Sequence, residues 1–322
     1  MDDSKKETVL LSVVIPVYLA EKTLPELCSR LNKEFEKIPG KCEAILVEDG
    51  SPDQSWKVLE LEAAKYNFIK GIKLSRNFGQ EQALTAGLDS TSGEWIVIMD
   101  CDLQDAPEAI SSLLSHIRAS DYDLVLVRRK KRKHGLFKRL FSRCYYKCFQ
   151  FFSSIQLDPD VGCFRIMHKR VVKSFCGMRE AHRFLGGMIN WLGFNVGYMD
   201  FEHQERSEGK STYTLYKLFK LAFDGIFSFS NRPLYISITL GAIVSVTAFL
   251  IGAYYLFKHL FIQKINVLGW TSLILLITFF SGLILINIGI IGVYIGRIYD
   301  QVKKRPLYII AQMTNNESSR GQ

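Results

Sequence analysis

The chain has 322 residues, room for two domains or for one large domain with an appendage, and its 41 Lys and Arg against 32 Asp and Glu give a net charge of +9. With 48% apolar and 23% charged residues it is neither a disordered nor a collagen-like sequence. Its mean hydropathy is slightly positive, high for a soluble enzyme, and the apolar excess is concentrated in the C-terminal third.

The N-terminal stretch MDDSKKETVLLSVVIPVY is acidic and then mixed, and no small-residue cleavage site follows its apolar part. It therefore reads as a buried strand and not as an export signal. From there to about residue 130, short apolar runs alternate with amphipathic stretches. Strands are expected at Leu10 to Val17, Cys42 to Val47, Phe68 to Leu74, Trp95 to Met99 and Leu124 to Val127. Helices are expected at Pro25 to Lys37, Ser55 to Lys65, Gln80 to Asp89 and Pro107 to Arg118, with each proline in a first turn. This alternation predicts an α/β domain with a mostly parallel sheet covered on both faces and a ligand at the carboxyl ends of its strands. Polar residues gather at those ends: Glu48-Asp49-Gly50-Ser51, Ser75-Arg76-Asn77 and Asp100-Cys101-Asp102-Leu103-Gln104. No GxGxxG follows the first strand, which argues against a dinucleotide site.

Gly135 to Gln156 and Tyr213 to Ser230 mix aromatics with Lys and Arg at near-helical spacing, the pattern of helices lying in a headgroup plane. Residues 233–257 and 265–296 hold no Asp, Glu, Lys or Arg; at 25 and 32 residues each exceeds the ~20 needed to span a bilayer. Lys217, Lys220 and Arg232 precede the first run, Arg297, Lys303, Lys304 and Arg305 follow the second, and the loop between carries only Lys258 and Lys264. Seven against two puts both outer flanks in the cytoplasm. The expected organisation is a cytoplasmic catalytic domain over 1–212, with an interfacial helix at about 135–156, and a juxtamembrane amphipathic helix over 213–232. Two membrane helices (about 233–257 and 268–295, within 233–296) and a cytoplasmic tail over 297–322 complete it. The seven cysteines are odd in number and lack CxxC or Cys/His metal spacing, so they read as reduced thiols.

Asp100 and Asp102 stand two apart at the end of a buried strand, so extended geometry projects both carboxylates to one side, with Gln104 as a possible third oxygen ligand. Oxygen donors of this kind suit Mg2+ or Mn2+, which would bridge a diphosphate and stabilise the charge developing on it.

Seven motifs then follow in a set order: SVVIPVY (12 to 18), VEDGSPD (47 to 53), RNFGQEQALTAGL (76 to 88), MDCDLQDAPE (99 to 108), DVGCFRIMHKR (160 to 170), RSEGKSTY (206 to 213) and the paired apolar segments. In this order they resemble the family 2 glycosyltransferases of GT-A (Rossmann-like) fold. Within that family the resemblance is to the polyprenyl-phosphate glycosyltransferases, which include dolichyl-phosphate mannose synthase and the bacterial undecaprenyl-phosphate sugar transferases. It covers nearly the whole chain. It implies an inverting, metal-dependent transfer of one sugar from a nucleotide diphosphate sugar to undecaprenyl phosphate, serving cell-envelope glycan modification such as that of lipopolysaccharide O-antigen. The setting it implies is a multi-pass protein of the bacterial inner membrane, in contact with membrane lipid, with a tetramer as the homo-oligomer that related enzymes suggest. UDP-glucose leads the implied donors, with UDP-N-acetylhexosamines, UDP-galactose and a modified arabinose as rivals.

Residue by residue, the resemblance places Pro16, Tyr18, Val47 and Asp49 in the nucleotide pocket, Asp49 near the base or ribose. It puts Asp100, Asp102 and Gln104 on the metal and diphosphate, and Cys101 where the family usually has Ala, as a buried inert thiol. Asp160 matches the aspartate often proposed as catalytic in this family. A phosphate monoester with a second pKa of about 6 is already largely a dianion at pH 7, so Asp160 acts either as a base or as a holder of acceptor or sugar. Arg129, Arg132, Arg165 and Arg206, with Lys210 and Ser211, would meet the phosphates of donor and acceptor, anions that guanidinium forks bind well. Two positions depart from the family pattern. After PVY the usual Asn-Glu is replaced by Leu19-Ala20 ahead of Glu21, and Ser-Lys-Tyr becomes Ser211-Thr212-Tyr213 with Lys210 on the other side of the serine.

Three other readings compete. A processive polysaccharide synthase would bring a QxxRW-type motif and more membrane helices, and a non-catalytic scaffold or lipid flippase has no need of an intact DxDxQ. Nucleic-acid binding through Arg128 to Lys133 is less economical than attraction to anionic lipid, so no nucleic-acid partner is expected.

Overall fold

The computed structural model describes residues 8–130, 158, 161–202, 232–261 and 269–314. The chain divides into two compact units, one formed by 1–143, 155–212 and 305–322 and the other by 144–154 and 213–304.

The first unit is a single sheet with helices. Its strands are β1 (Val9–Val17), β2 (Lys41–Glu48), β3 (Ile69–Leu74), β4 (Trp95–Ile98), β5 (Leu124–Lys130), β6 (Val161–His168), β7 (Val196–Glu202) and β8 (Ile310–Met313). Its helices are α1 (Leu24–Phe35), α2 (Ser55–Lys65), α3 (Gln80–Asp89), α4 (Ile110–Arg118, after a 3-10 turn at Pro107–Ala109), α5 (Lys169–Gly177) and α6 (Leu185–Leu192). The sheet order is β7-β5-β6-β4-β1-β2-β3-β8. Strands β4, β1, β2 and β3 are mutually parallel, as are β5 and β7. β6 runs antiparallel between β4 and β5, and β8 runs antiparallel along β3. The result is the mostly parallel α/β domain that the alternation of apolar runs predicts, with a mixed character from β6 and β8.

The continuous apolar runs have the expected cause: β1 is buried from Leu11 to Val17, covered on both faces. On one side Leu11, Val13 and Ile15 pack with Leu24, Leu27 and Leu31 of α1 and Leu113 and Ile117 of α4. On the other, Ile45 and Val47 of β2 meet Ile72, Leu74 and Ala83 and Ala86 of α3. At roughly 1.5 to 3 kcal/mol per large apolar side chain buried, these two layers dominate the stability of the unit and hold the strand ends in register.

A cytoplasmic tail is the expectation for residues 297–322, and within this stretch the structure shows regular elements. The second apolar helix continues to Val302, and β8 joins the sheet. β3 would otherwise leave a row of N–H and C=O groups unpaired at the sheet edge. Gly71 N–H donates to Thr314 Oγ1 at 2.7 Å, Ser75 N–H to the Ile309 carbonyl at 2.9 Å, and Tyr308 Oη–H to Asp89 Oδ2 at 2.7 Å. Asp89 also accepts both Arg179 Nη groups, at 2.7 and 2.8 Å. Residues 308–314 are thus a strap binding β3, the start of the β3–α3 loop and the end of α3.

The second unit contains α7 (Arg232–Phe261) and α8 (Trp270–Val302). Arg232–Ile251 and Phe279–Val302 are long and apolar enough to cross a membrane, and no residue of either window is buried. Apolar helices with outward-facing side chains are the reverse of a soluble core.

Burial alone would raise the Asp89 pKa, but Arg179, Tyr308 and Cys176 together hold it below the ordinary carboxylate value. A carboxyl with a depressed folded-state pKa contributes stability above its unfolded pKa of about 4, and loses it as pH falls through the folded value. The protection of the 308–314 amides against hydrogen exchange in detergent should fall below about pH 4 for this reason. Asp89→Asn should lower that protection at neutral pH and remove the acid-dependent part of the loss.

Candidate active site

Pairing on both sides of β1 brings the carboxyl ends of β2, β1 and β4 side by side. β6 starts at this same edge: its antiparallel register sets Arg165 opposite Ile98 and Val161 opposite Arg128. The Asp-x-Asp turn and the start of the DVGC segment, distant in sequence, are thereby neighbours.

The turn after β4 is tightly specified. Met99 N–H donates to the Val14 carbonyl at 3.2 Å and Asp100 N–H to Asp105 Oδ2 at 3.3 Å, Asp105 being buried beneath the turn. Asp102 Oδ1 accepts the Gln104 amide at 3.1 Å, with Leu103 between them at φ +62°. Asp100 Oδ1 accepts from Gln80 Nε2 at 2.9 Å, a side chain of the first residue of α3.

Beside it, two loops touch backbone to backbone. Gly50 has φ +62°, and a Cβ there would lie 2.4 Å from Asn77 N and 2.5 Å from Arg76 C, so only glycine permits both the turn and the approach. Asp49, 4% exposed, accepts the amides of Phe78 at 2.7 Å and Gly79 at 2.9 Å. Burial raises its pKa, and the two amides offset part of that rise. Asp49 is therefore engaged by backbone on both oxygens, fastening the β3–α3 loop to the end of β2.

At the end of β1, Leu19 N–H donates to Ser51 Oγ and Ala20 N–H to Ser55 Oγ, each at 2.9 Å. Glu21 Oε2 accepts the Gln54 amide at 3.0 Å. Leu19 is 59% exposed and has φ +53°, a left-handed conformation that costs most side chains energy but that Asn adopts readily. The Asn that the resemblance leads one to expect here would adopt this conformation readily, whereas this chain holds a leucine in it.

The other candidate residues distribute as follows. Pro16 and Val47 are buried register partners on β1 and β2, while Tyr18, just past the end of β1, is exposed. Burial pushes the Cys101 thiol up to about 11, so it is protonated and inert at neutral pH. Arg165 is 6% exposed, and its guanidinium turns back to the carbonyls of Cys163 (2.8 Å) and Gly162 (2.9 Å), bracing the start of β6. Arg129 lies in β5, in register with Phe201 of β7. Asp160, Arg132, Arg206, Lys210 and Ser211 lie outside the described residues, as do residues 135–156 and 213–231 of the two expected amphipathic helices.

Three polar residues gain importance from the fold. Gln80 stood in the RNFGQEQ motif and Asp105 in LQDAPE, but local pattern gave neither a partner. Arg128 donates to Asp158 at 2.7 Å while its guanidinium lies 3.8 Å from the Tyr198 ring centroid.

Among the described residues no group of three or more His, Cys, Asp or Glu side chains converges on one point. Mg2+ usually takes one or two carboxylates and fills its octahedron with substrate phosphates and water. Asp100 and Asp102, at a half-buried turn on the carboxyl edge of the sheet, fit that donor set.

Residues 12–175 match the family described as glycosyl transferase family 2. The chain is 35% identical over 301 residues to an SfII prophage-derived bactoprenol glucosyl transferase of Shigella flexneri, covering 93% of this chain and 97% of that one. It is 34% identical over 305 residues to a prophage bactoprenol glucosyl transferase homolog of Escherichia coli, covering 94% and 99%. Mannosyl-3-phosphoglycerate synthase from Rubrobacter xylanophilus shares the fold at 16% identity, with a TM-score of 0.50 over 70% of this chain and 74% of that one. The chain belongs to the glycosyl transferase family 2.

Relief of the left-handed leucine gives a direct check on this geometry. Leu19→Asn should raise stability by about 1 kcal/mol, a gain on the order of a few degrees in the thermal midpoint of the detergent-solubilised protein. Leu19→Val, β-branched at the same φ, should lower it.

Proposed function

Taking family membership as the premise, we propose that the protein transfers a single sugar, glucose from UDP-glucose, to undecaprenyl phosphate at the cytoplasmic face of a bacterial inner membrane. Inversion at the anomeric carbon and a Mg2+ or Mn2+ cofactor belong to the same reading. The observation that carries it is the near-full-length match to bactoprenol glucosyl transferases: the likeness runs through the apolar C-terminal third as well as the α/β unit, so the parts suited to a lipid acceptor and to a sugar donor are shared together.

Asp100, Asp102 and Gln104 would hold the cation. When bound, it stabilises the negative charge developing on the departing diphosphate. The chain's own contribution is alignment. Tyr18 and the loops after β1, β2 and β3 receive the nucleotide at the carboxyl edge, where a ligand of a doubly wound sheet is expected. The acceptor phosphate, largely dianionic at neutral pH, needs little activation. It attacks the anomeric carbon opposite the leaving diphosphate, and the displacement inverts.

Bringing two polyanions together requires cations, for which Arg129, Arg132, Arg206 and Lys210 are proposed, with Ser211 as a hydrogen-bond donor. Arg165 supports this set from inside by bracing β6. Asp160, adjoining the start of β6, holds the acceptor or the sugar. Positioning and electrostatics account for most of the rate enhancement in this scheme.

The membrane side of the proposal has its own support. Residues before and after the apolar pair belong to one folded unit, which favours an even number of crossings with both flanks on one side. The seven-to-two charge bias makes that side cytoplasmic.

The purified protein should convert undecaprenyl phosphate and UDP-glucose into a lipid carrying one hexose, identified by mass, in a reaction that excess chelator stops and Asp102→Asn abolishes. A product elongated to many sugars would make it a processive synthase, and transfer only from another nucleotide sugar would reassign the donor. A reporter fused at Asn266 should read as periplasmic and one at Gln322 as cytoplasmic. The reverse pattern would remove the site from cytosolic sugar nucleotides and overturn the proposal.

A further inference from the structure

The turn after β1 turns two adjacent apolar side chains outward. Val17 and Ala20 are buried, at 0% and 3% exposure, whereas Tyr18 and Leu19 between them are 46% and 59% exposed. Leu19 is also left-handed, at φ +53°, a conformation that leucine adopts only at an energetic cost. Its backbone is held in place, since the Leu19 amide donates to Ser51 Oγ and the Ala20 amide to Oγ of the fully buried Ser55, each at 2.9 Å. Solvent exposure of an aliphatic group and backbone strain thus fall on one residue, and an asparagine there would suffer neither. Strain of this kind clusters where a protein meets its ligand.

The neighbours of the turn indicate what it meets. β1 lies between β4 and β2 in the sheet. On the β4 side the Tyr18 amide hydrogen-bonds the Cys101 sulfur, in the middle of the Asp-x-Asp turn. On the β2 side the Val17 carbonyl accepts the Asp49 amide at 3.0 Å. With neighbouring strands about 4.8 Å apart, the ends of β4 and β2 stand about 10 Å from each other. A nucleoside diphosphate with its phosphates at Asp100 and Asp102 and its base beside the loops after β2 and β3 has to cross that gap with its ribose, over Tyr18 and Leu19.

We propose that Leu19 is a donor-binding residue whose side chain packs on the nucleoside, at the ribose and the adjoining face of the base. The proposal rests on the reading of the donor as a nucleoside diphosphate sugar laid along this edge. The carbon-bound hydrogens of ribose and base offer an apolar surface. Leucine covers it and excludes water without competing for the hydroxyl groups. Asparagine would relieve the backbone and lose that contact, so the strained leucine serves binding at the expense of stability.

The test uses the full-length protein in detergent with Mn2+ present. Affinities for UDP and for inorganic pyrophosphate are measured by calorimetry, and the thermal midpoint is recorded for each variant. Leu19→Asn should raise the midpoint, weaken UDP binding about 10-fold and leave pyrophosphate binding unchanged, because only the nucleoside reaches the side chain. Leu19→Met keeps an unbranched Cβ and an apolar side chain of similar volume, and it should bind UDP as wild type does. UDP affinity at the wild-type level in Leu19→Asn would overturn the proposal. So would a Leu19→Met variant as weak as Leu19→Asn, which would deny any need for an apolar group, and so would a parallel loss of pyrophosphate binding in Leu19→Asn, which would mean that the whole edge had shifted. The two levels separate in the wild type: if it binds UDP no better than pyrophosphate, the nucleotide reading fails and this proposal with it, whereas preferential UDP binding by both wild type and Leu19→Asn sinks the role of Leu19 alone.

Discussion

The carboxyl edge of the sheet depends on one buried carboxylate holding two backbone amides. Asp49 takes the N–H groups of Phe78 and Gly79, and by doing so fixes where the β3–α3 loop passes and where α3 begins. Everything functional nearby is referred to that point: Gly50 must lack a side chain because the loop is so close, and Gln80 reaches Asp100 because the helix starts there. Hydrogen bonds to a charged group contribute roughly 1.5 to 3 kcal/mol each, and an amide left buried without a partner costs a similar amount. Asp49 is nonetheless raised in pKa by its burial, as is neighbouring Glu48, so the edge carries two acids in an environment that disfavours their charge. Stability is given up there for a defined geometry, as the left-handed Leu19 also indicates.

The nine elements expected up to residue 130 all appear near their expected positions, because each carries its own local signal: a period, a proline in a first turn, or a polar cluster at a strand end. What escaped local reading was whatever depends on pairing across the chain. The DVGCFRIMHKR segment stood out for its aspartate and arginine and proves to be a central antiparallel strand, β6, inserted between β4 and β5. Nothing within those eleven residues specifies that placement; the register with Trp95–Ile98 does. Arg165 illustrates the same limit for a side chain. An arginine in a phosphate-handling motif and an arginine bracing carbonyls from within look identical in sequence, and only burial and partners separate them.

The site itself was legible where backbone geometry and chemistry coincide. The polar strand ends point to an edge whatever the tertiary detail, but Asp100 and Asp102 lie in a turn beyond the end of β4 at Ile98, so the extended geometry expected for the pair is not what sets their directions. Gln80 was not legible as a partner of Asp100, since the contact joins the start of α3 to the end of β4 and exists only once both are packed against β1. The seven ordered motifs supplied the family, and the fold supplied the reasons for several of their residues: Gly50 for close approach, Asp49 for the loop, and the serines of EDGSPDQS for the turn after β1.

The strap of residues 308–314 has a consequence for biosynthesis. A ribosome makes β3 early and its edge partner β8 only after both apolar helices have been translated. Throughout that interval the sheet has an open edge, the kind of surface that pairs with other chains. Closure of the α/β unit therefore comes after both apolar helices have been made. A chain truncated after the second helix would keep every residue of the Asp-x-Asp turn and still emerge with β3 unsealed. Quality control that recognises exposed strand edges would thus distinguish molecules in which β8 has paired from those in which it has not.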